Sequence, residues 1–470
     1  MRTEELSYFE EKEFKANLKA YEEAQAEERT PYMDAEELTD IAEYYMLKNR
    51  EQDAIECIQL AASLHPDAVD PQVFLSRREL MRGDTEAARR IASQIKEQQD
   101  REVRFLWAEI CIKEENPEQA YELMMHDLEE IEDDEPDFYL YDVAELFLDY
   151  GQHALAQRCT DKIKELYPNF ERLQMLQAEV HFSAGQFDEA IALTDKILSD
   201  DAFNKSAWEL MAESQIAQGK YAEALEAADF LLAIDENNAQ GLVVRGNCLF
   251  QLERYAEASD TYQRYLKEWP KDGVVLFNES LVLMNMGQTE SAIKGFRKAI
   301  KALPPETLEF RQAYMNLCSA LAADKKEEEA VELLLKLYKE TQMLPNTDYC
   351  IMRGHICLEN DHFYEAMQWF EDSVRKAEDR YTAELAVAVE LIEHEYYELG
   401  IERLDMLLDS PMPEKEMHCY PYKAYALYFQ KNNEAFHSCL QKALEYNPSL
   451  TEFLFSPIFP TLPPSEYGRV

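Results

Sequence analysis

The chain has 470 residues, 46% apolar and 11% aromatic, with only 12 Gly and 18 Pro, the composition of a helical protein with tight turns and no long linker. Its 94 acidic and 47 basic residues leave a net charge of −47, which disfavours nucleic acid and anionic membranes as ligands, favours basic partners, and also keeps a long chain dispersed. No run of about 18 apolar residues is present, and the opening MRTEELSYFEEKEF has neither a basic n-region nor an apolar h-region, so the expected location is the cytoplasm.

In chain order, residues 1–34 come first, charged and patterned as a helix by Leu6, Phe9, Phe14, Leu18 and Tyr21. The expectation is a helix that caps whatever follows, with a partner-binding arm as the alternative. From residue 35 an alanine recurs at Ala54, Ala88, Ala120, Ala156, Ala190, Ala224, Ala258, Ala292, Ala330 and Ala366, in steps of 34, 32, 36, 34, 34, 34, 34, 38 and 36. Twelve residues before each stands a second small residue: Ala42, Ser76, Ala108, Ala144, Ala178, Ala212, Gly246, Ser280, Cys318 and Gly354. Each pair predicts two helices in close contact, where a larger side chain costs about 1–3 kcal/mol. Glycines at Gly83, Gly151, Gly185, Gly219 and Gly287 predict the turn between them, and Pro66, Pro168, Pro270 and Pro304 predict where the second helix stops.

These positions resemble the tetratricopeptide pattern. Lys205–Asn238, with Trp208, Ala212, Gly219, Tyr221, Ala224 and Leu231, is close to the consensus, as is Ala239–Asp272, with Leu242, Gly246, Tyr255, Ala258 and Pro270. Two weaker units follow, one with Ala388 and Gly400, the other with Ala424, Ala443, Pro448 and Phe436 in place of alanine. The reading is an all-α solenoid of about twelve stacked antiparallel helix pairs over 35–450. Its right-handed superhelix is implied by the resemblance, and its irregular steps are expected to bend it locally. Residues 451–470, TEFLFSPIFPTLPPSEYGRV, hold Phe453, Phe455, Phe459 and four prolines. That composition predicts a non-helical tail folded over the last repeat; left exposed, Phe453–Pro460 would be a docking motif.

The resemblance further implies that the first helix of each repeat lines a concave groove. Eleven residues before the marked alanines the column reads Glu43, Arg77, Glu109, Glu145, Glu179, Glu213, Asn247, Leu281, Ser319 and His355. Four residues earlier it reads Thr39, Val73, Phe105, Tyr141, Met175, Glu209, Val243, Phe277, Met315 and Ile351. Acid interleaved with aromatic and Met suits a partner segment carrying Lys or Arg beside apolar anchors. The expected contacts are Glu109, Tyr141, Glu145, Glu179 and Glu213, with Phe105 and Met175 as anchors. Asn247, Asn278 and Asn316 also map inward and resemble a short ladder of backbone-clamping amides, set against their reading as ordinary solvated polar residues. The Lys, Asn and Arg clamp with which some members of the family hold chaperone carboxy termini has no counterpart here.

Nothing points to catalysis, a cofactor or a metal. There is no P-loop, GxGxxG, GxSxG or HExxH, and the histidines are scattered apart from His355 beside Cys357. The acidic run Asp127–Asp137 lacks the ligand alternation and central Gly of an EF-hand loop. Nine cysteines without a CxxC pair read as reduced, buried small hydrophobes. The functional expectation is a non-catalytic scaffold or adaptor for a protein or peptide. The alternatives are a holdase for basic nucleic-acid-binding proteins, with the charge imitating a phosphate backbone, and a regulatory subunit, for which the chain leaves little room.

Overall fold

The computed structural model describes residues 8–9, 12–27, 29–48, 50–130, 136–305, 307–340, 344–409, 413–459 and 462–469; Leu6, Pro460 and the acidic stretch 131–135 lie outside them. Every regular element among these residues is helical. The chain divides into two compact units, residues 1–218 and 219–470. The first holds helix Lys12–Ala26, five helix hairpins between Ala35 and Asp200, and helix Lys205–Ala217. The second holds helix Tyr221–Ile234, six hairpins between Ala239 and Tyr446, helix Pro448–Phe455 and a short 3-10 turn at Pro464–Arg469.

The small-residue pairs do what their spacing predicts. All ten marked alanines are fully buried, and so are Ala42, Ser76, Ala108, Ala144, Ala178 and Cys318 opposite them. A Cβ on Gly246 would overlap the Tyr262 ring, one on Gly354 the Phe370 ring, and one on Gly400 the Ile392 side chain. A large ring on one helix thus lies flat over a residue with no side chain on the other. Two of the irregular steps have local counterparts in helix length. The step of 32 follows a second helix of only 8 residues, Thr85–Ala92, and the step of 38 spans a first helix of 16, Leu308–Ala323.

The turns are uniform in a way the glycines only half reveal. Gly83, Gly151, Gly185, Gly219 and Gly287 have φ between 67° and 80°. Glu115, Glu253, Lys325, Asp361, Glu395 and Lys431 fill the same place with φ between 58° and 67°. Within the hairpins these residues close the first helix with the same pair of hydrogen bonds: Glu253 N–H donates to Phe250 O and Arg254 N–H to Leu249 O, as Gly151 and Gln152 donate to Leu148 O and Phe147 O. First helices are entered differently, through side-chain caps at Asp34, Asp100, Asn204, Asn238, Asp272, Thr307 and Asp379. Second helices end at Leu64, Leu166, Glu268 and Ala302, each two residues before its proline.

Both ends carry aromatic rings. Phe9, Phe14 and Tyr21 pack on Tyr44 and Tyr45 of the first hairpin, with Phe9 and Phe14 edge to face at 4.8 Å. At the other end the composition misleads: Thr451–Phe455 is helical, because Pro448 sits in the first turn, where it has no backbone hydrogen bond to lose, and Asn447 caps it. Phe455 and Phe459 stack at 6.0 Å, and with Tyr467 they bury against Tyr428 and Phe436. Of the aromatic residues in the expected docking motif, Phe453 is exposed, at 73%, while Phe455 and Phe459 are buried. Phe436, in the place of the alanine, packs on Tyr428 and Phe455.

All nine cysteines are buried free thiols. Burial pushes Cys57, Cys159, Cys318 and Cys439 up to about 12 and Cys248 to about 11, so thiolate is scarce at neutral pH. We expect iodoacetamide to label them only as fast as the protein opens, with all nine labelled in denaturant, as mass spectrometry would show. Glu253→Gly should raise the urea midpoint, stabilising by about 1 kcal/mol, because it relieves a left-handed non-glycine turn. Gly185→Ala, whose Cβ meets nothing within 4 Å, should lower it by a similar amount through backbone strain alone.

Candidate functional site

In the first unit Glu43, Arg77, Glu109 and Glu145, from the column eleven residues before the marked alanines, line two neighbouring clefts. One, of about 550 Å³, is mostly apolar, with Phe9, Met46, Leu47, Phe74 and Met81 around Glu43, Arg77 and Arg78. The next, of about 860 Å³, is lined by Arg77, Met81, Arg101, Glu102, Phe105, Glu109, Lys113, Asp142, Glu145, Asp149 and Tyr150, among others. Arg77 and Met81 belong to both, so an apolar section runs into a charged one. The structure therefore brings Phe105, Glu109 and Glu145 together. Tyr141, on the same helix as Glu145, and Met175, Glu179 and Glu213, on later helices of the unit, do not line this cleft. The column four residues earlier is mixed: Thr39, Val73 and Phe277 are core residues.

Electrostatics inside the charged cleft is largely internal. Glu109 is buried at 7% exposure and receives both Nε and an Nη of Arg77, at 3.0 and 2.9 Å, while a further Arg77 contact reaches Glu102 at 3.0 Å. Burial works to lower the Arg77 pKa, but Glu109 and Glu102 outweigh it and the guanidinium is raised above its ordinary value. Tyr150 donates to Glu109 at 3.5 Å; burial and the Glu109 charge raise its pKa. Glu109 thus holds Arg77 rather than facing open solvent. Arg101 pairs with Asp142 and sits 5.7 Å from the Phe105 ring centre, while Arg172 lies 5.5 Å from that of Tyr141. The aromatic faces of the column already receive guanidinium groups from their own chain.

The three asparagines behave unequally. Asn247 Oδ1 accepts from Tyr262 Oη at 2.6 Å and from Asn278 Nδ2 at 3.3 Å, so these two amides are joined across adjacent hairpins. Asn316 donates to Gln312 O, one turn back on its own helix, at 2.9 Å and is not part of that pair.

A cluster that sequence reading does not find lies in the second unit. His355 and Glu359, on helix Asn346–Glu359, meet Glu390 and His394 at the end of helix Arg380–Glu393. His355 Nδ1 is 3.0 Å from Glu390 Oε2, and its Nε2 is 2.9 Å from Ser319 Oγ. His394 Nδ1 lies 2.8 Å from the Glu390 carbonyl, and its Nε2 3.4 Å from Glu359 Oε1. Burial opposes charge on His355, yet the Glu390 hydrogen bond and the Glu359 and Glu393 charges raise its pKa. Glu393 is raised by burial and by Glu390. Ser319 and His355 occupy the same column in successive repeats, which was the available signal; His394 lies off that column at a helix end, and no spacing rule picks it out.

Residues 149–231 match the family model described as anaphase-promoting complex, cyclosome, subunit 3, and residues 210–273 match a tetratricopeptide repeat model. No curated protein matches the sequence. Among solved structures, YrrB, described as a TPR protein with an unusual peptide-binding site, is 18% identical over 40% of this chain and 95% of its own, with a TM-score of 0.34. A tetratricopeptide repeat protein from Parabacteroides merdae is 17% identical over 54% and 98%, at 0.41. The APC/C hetero-tetramer Cut9–Hcn1 is 12% identical over 96% and 94%, at 0.33.

Glu109→Ala should destabilise the first unit by about 1–2 kcal/mol, because it leaves the half-buried Arg77 guanidinium with Glu102 as its remaining carboxylate partner. In an Arg77→Met background the same change should cost at least about 1 kcal/mol less. A double-mutant cycle in urea measures the coupling, and additive single effects would remove the pair from any structural role.

Proposed function

On the premise that this is a tetratricopeptide-repeat chain, a scaffold for protein contacts, we propose that it is non-catalytic and holds a partner segment bearing Lys or Arg beside apolar side chains in the first-unit groove. The observation that carries the reading is the lining of the charged cleft, where five carboxylates (Glu102, Glu109, Asp142, Glu145, Asp149) stand against three cations (Arg77, Arg101, Lys113). A segment entering it meets net negative charge, and a side chain reaching past Arg77 and Met81 meets the apolar cleft of Phe9, Met46 and Phe74. Phe105 is the nearest aromatic anchor. Tyr141, Met175, Glu179 and Glu213 extend the same chemistry along the unit.

Glu109 serves this site indirectly, by fixing the Arg77 side chain between the two clefts. In the second unit the linked pair Asn247 and Asn278 offers amide groups to a peptide backbone, with Asn316 one repeat further. The location proposed with this reading is the cytoplasm; among the described residues no helix is long and apolar enough to cross a membrane.

Panning a random peptide library on the immobilised chain should enrich Lys or Arg next to aromatic or Leu residues. The triple change Asp142→Asn, Glu145→Gln, Asp149→Asn should weaken a selected peptide about tenfold at low salt, with the gap closing as salt rises. Enrichment of acidic peptides, or affinity indifferent to the triple change, would sink the proposal. Equal binding of scrambled basic peptides is the result expected of a holdase.

A further inference from the structure

The histidine–carboxylate cluster of the second unit contains a feature that ion pairing leaves unexplained. His394 Nε2 is buried without a hydrogen-bond partner, although Glu359 Oε1 is 3.4 Å away. A buried polar atom left in this state costs about 1–3 kcal/mol, so native proteins rarely tolerate one without a role. The other nitrogen of each ring is held by one residue: Glu390 binds His355 Nδ1 through its carboxylate and His394 Nδ1 through its carbonyl. With both Nδ1 atoms donating, Nε2 is the lone-pair nitrogen of each neutral ring. Fixing the tautomer through the far ring nitrogen is how proteins orient metal-ligating imidazoles.

One donor atom from each of His355, Glu359 and His394 lies within 4.8 Å of the other two. We propose that these three residues bind a divalent transition-metal ion of the Zn²⁺ class, with Glu390 as the positioning residue. Two imidazoles and one carboxylate form a borderline donor set that suits Zn²⁺, leaving one tetrahedral position for water. Ca²⁺ and Mg²⁺ prefer six or more oxygens. The Ser319 hydroxyl, 2.9 Å from His355 Nε2, gives up that hydrogen bond when the lone pair goes to the metal. His355 and Glu359 belong to one hairpin and His394 to the next, so the ion cross-links consecutive repeats.

The test uses the full chain stripped with chelator and titrated calorimetrically with Zn²⁺ in excess Ca²⁺, which saturates carboxylate-only sites on so acidic a surface. One saturable equivalent is expected, with a higher melting temperature in the loaded protein. His394→Ala and Glu359→Gln should abolish it, and Glu390→Gln, which keeps all three ligands, should weaken it about 10- to 100-fold. Circular dichroism checks that each variant folds. Co²⁺ provides a readout that needs no variant: the visible absorption of a four-coordinate ion should appear at one equivalent and be displaced by Zn²⁺. No saturable Zn²⁺ uptake, a Co²⁺ spectrum of the hydrated ion, or equal uptake by folded His394→Ala protein would overturn the proposal.

Discussion

The close approach of two helices across a pair of small residues is the constraint on which the rest of this structure depends. At Ala42 and Ala54, or Gly246 and Ala258, the contact leaves no room for a larger side chain on the inner faces. Rings such as Tyr262 and Phe370 can then lie over the partner helix and close the hairpin. The burial also determines the turn. Once the helices must meet at that distance, the chain has to reverse within a few residues, and a single left-handed residue with its two hydrogen bonds does so in every described hairpin turn from Gly83 onward. Propensity for that conformation is secondary, since Glu, Lys and Asp adopt it wherever packing requires.

This explains why the hairpins could be read from the sequence and part of the turn chemistry could not. Alanine at a step near 34 is a packing requirement and has to be written in residue type. Five turns are marked by glycine, but Glu115 or Lys325 in the same conformation looks like any solvated residue, because the tertiary contact bears the strain. The carboxy-terminal helix was hidden by its prolines, which break a helix only when they fall inside it.

For the groove, the columns predicted the neighbours but not the outcome of their meeting. Stacking sets residues of the same phase in successive repeats side by side, so Arg77 touches Glu109 and Ser319 touches His355. A list of groove acids does not show which already have a cation of their own. Arg77 was the one basic residue among the first six positions of its column, and it sits directly against the acid that sequence reading ranked among the foremost partner contacts. Much of the negative charge around the cleft is therefore structural, and selectivity falls to the surplus and to the apolar section beside it. The histidine cluster escaped notice for the converse reason: it combines one column residue with a helix-end residue, and only the stack relates them.

The aromatic closure at residues 455–467 has a bearing on assembly. A solenoid repeat presents to its successor a face shaped like the one it received, so an uncovered last hairpin is a template for a second copy in register, and such contacts propagate without closing. Here Phe455, Phe459 and Tyr467 occupy that face with rings of the same chain. Any chain that packed on this face in the manner of a further repeat would first have to displace those rings.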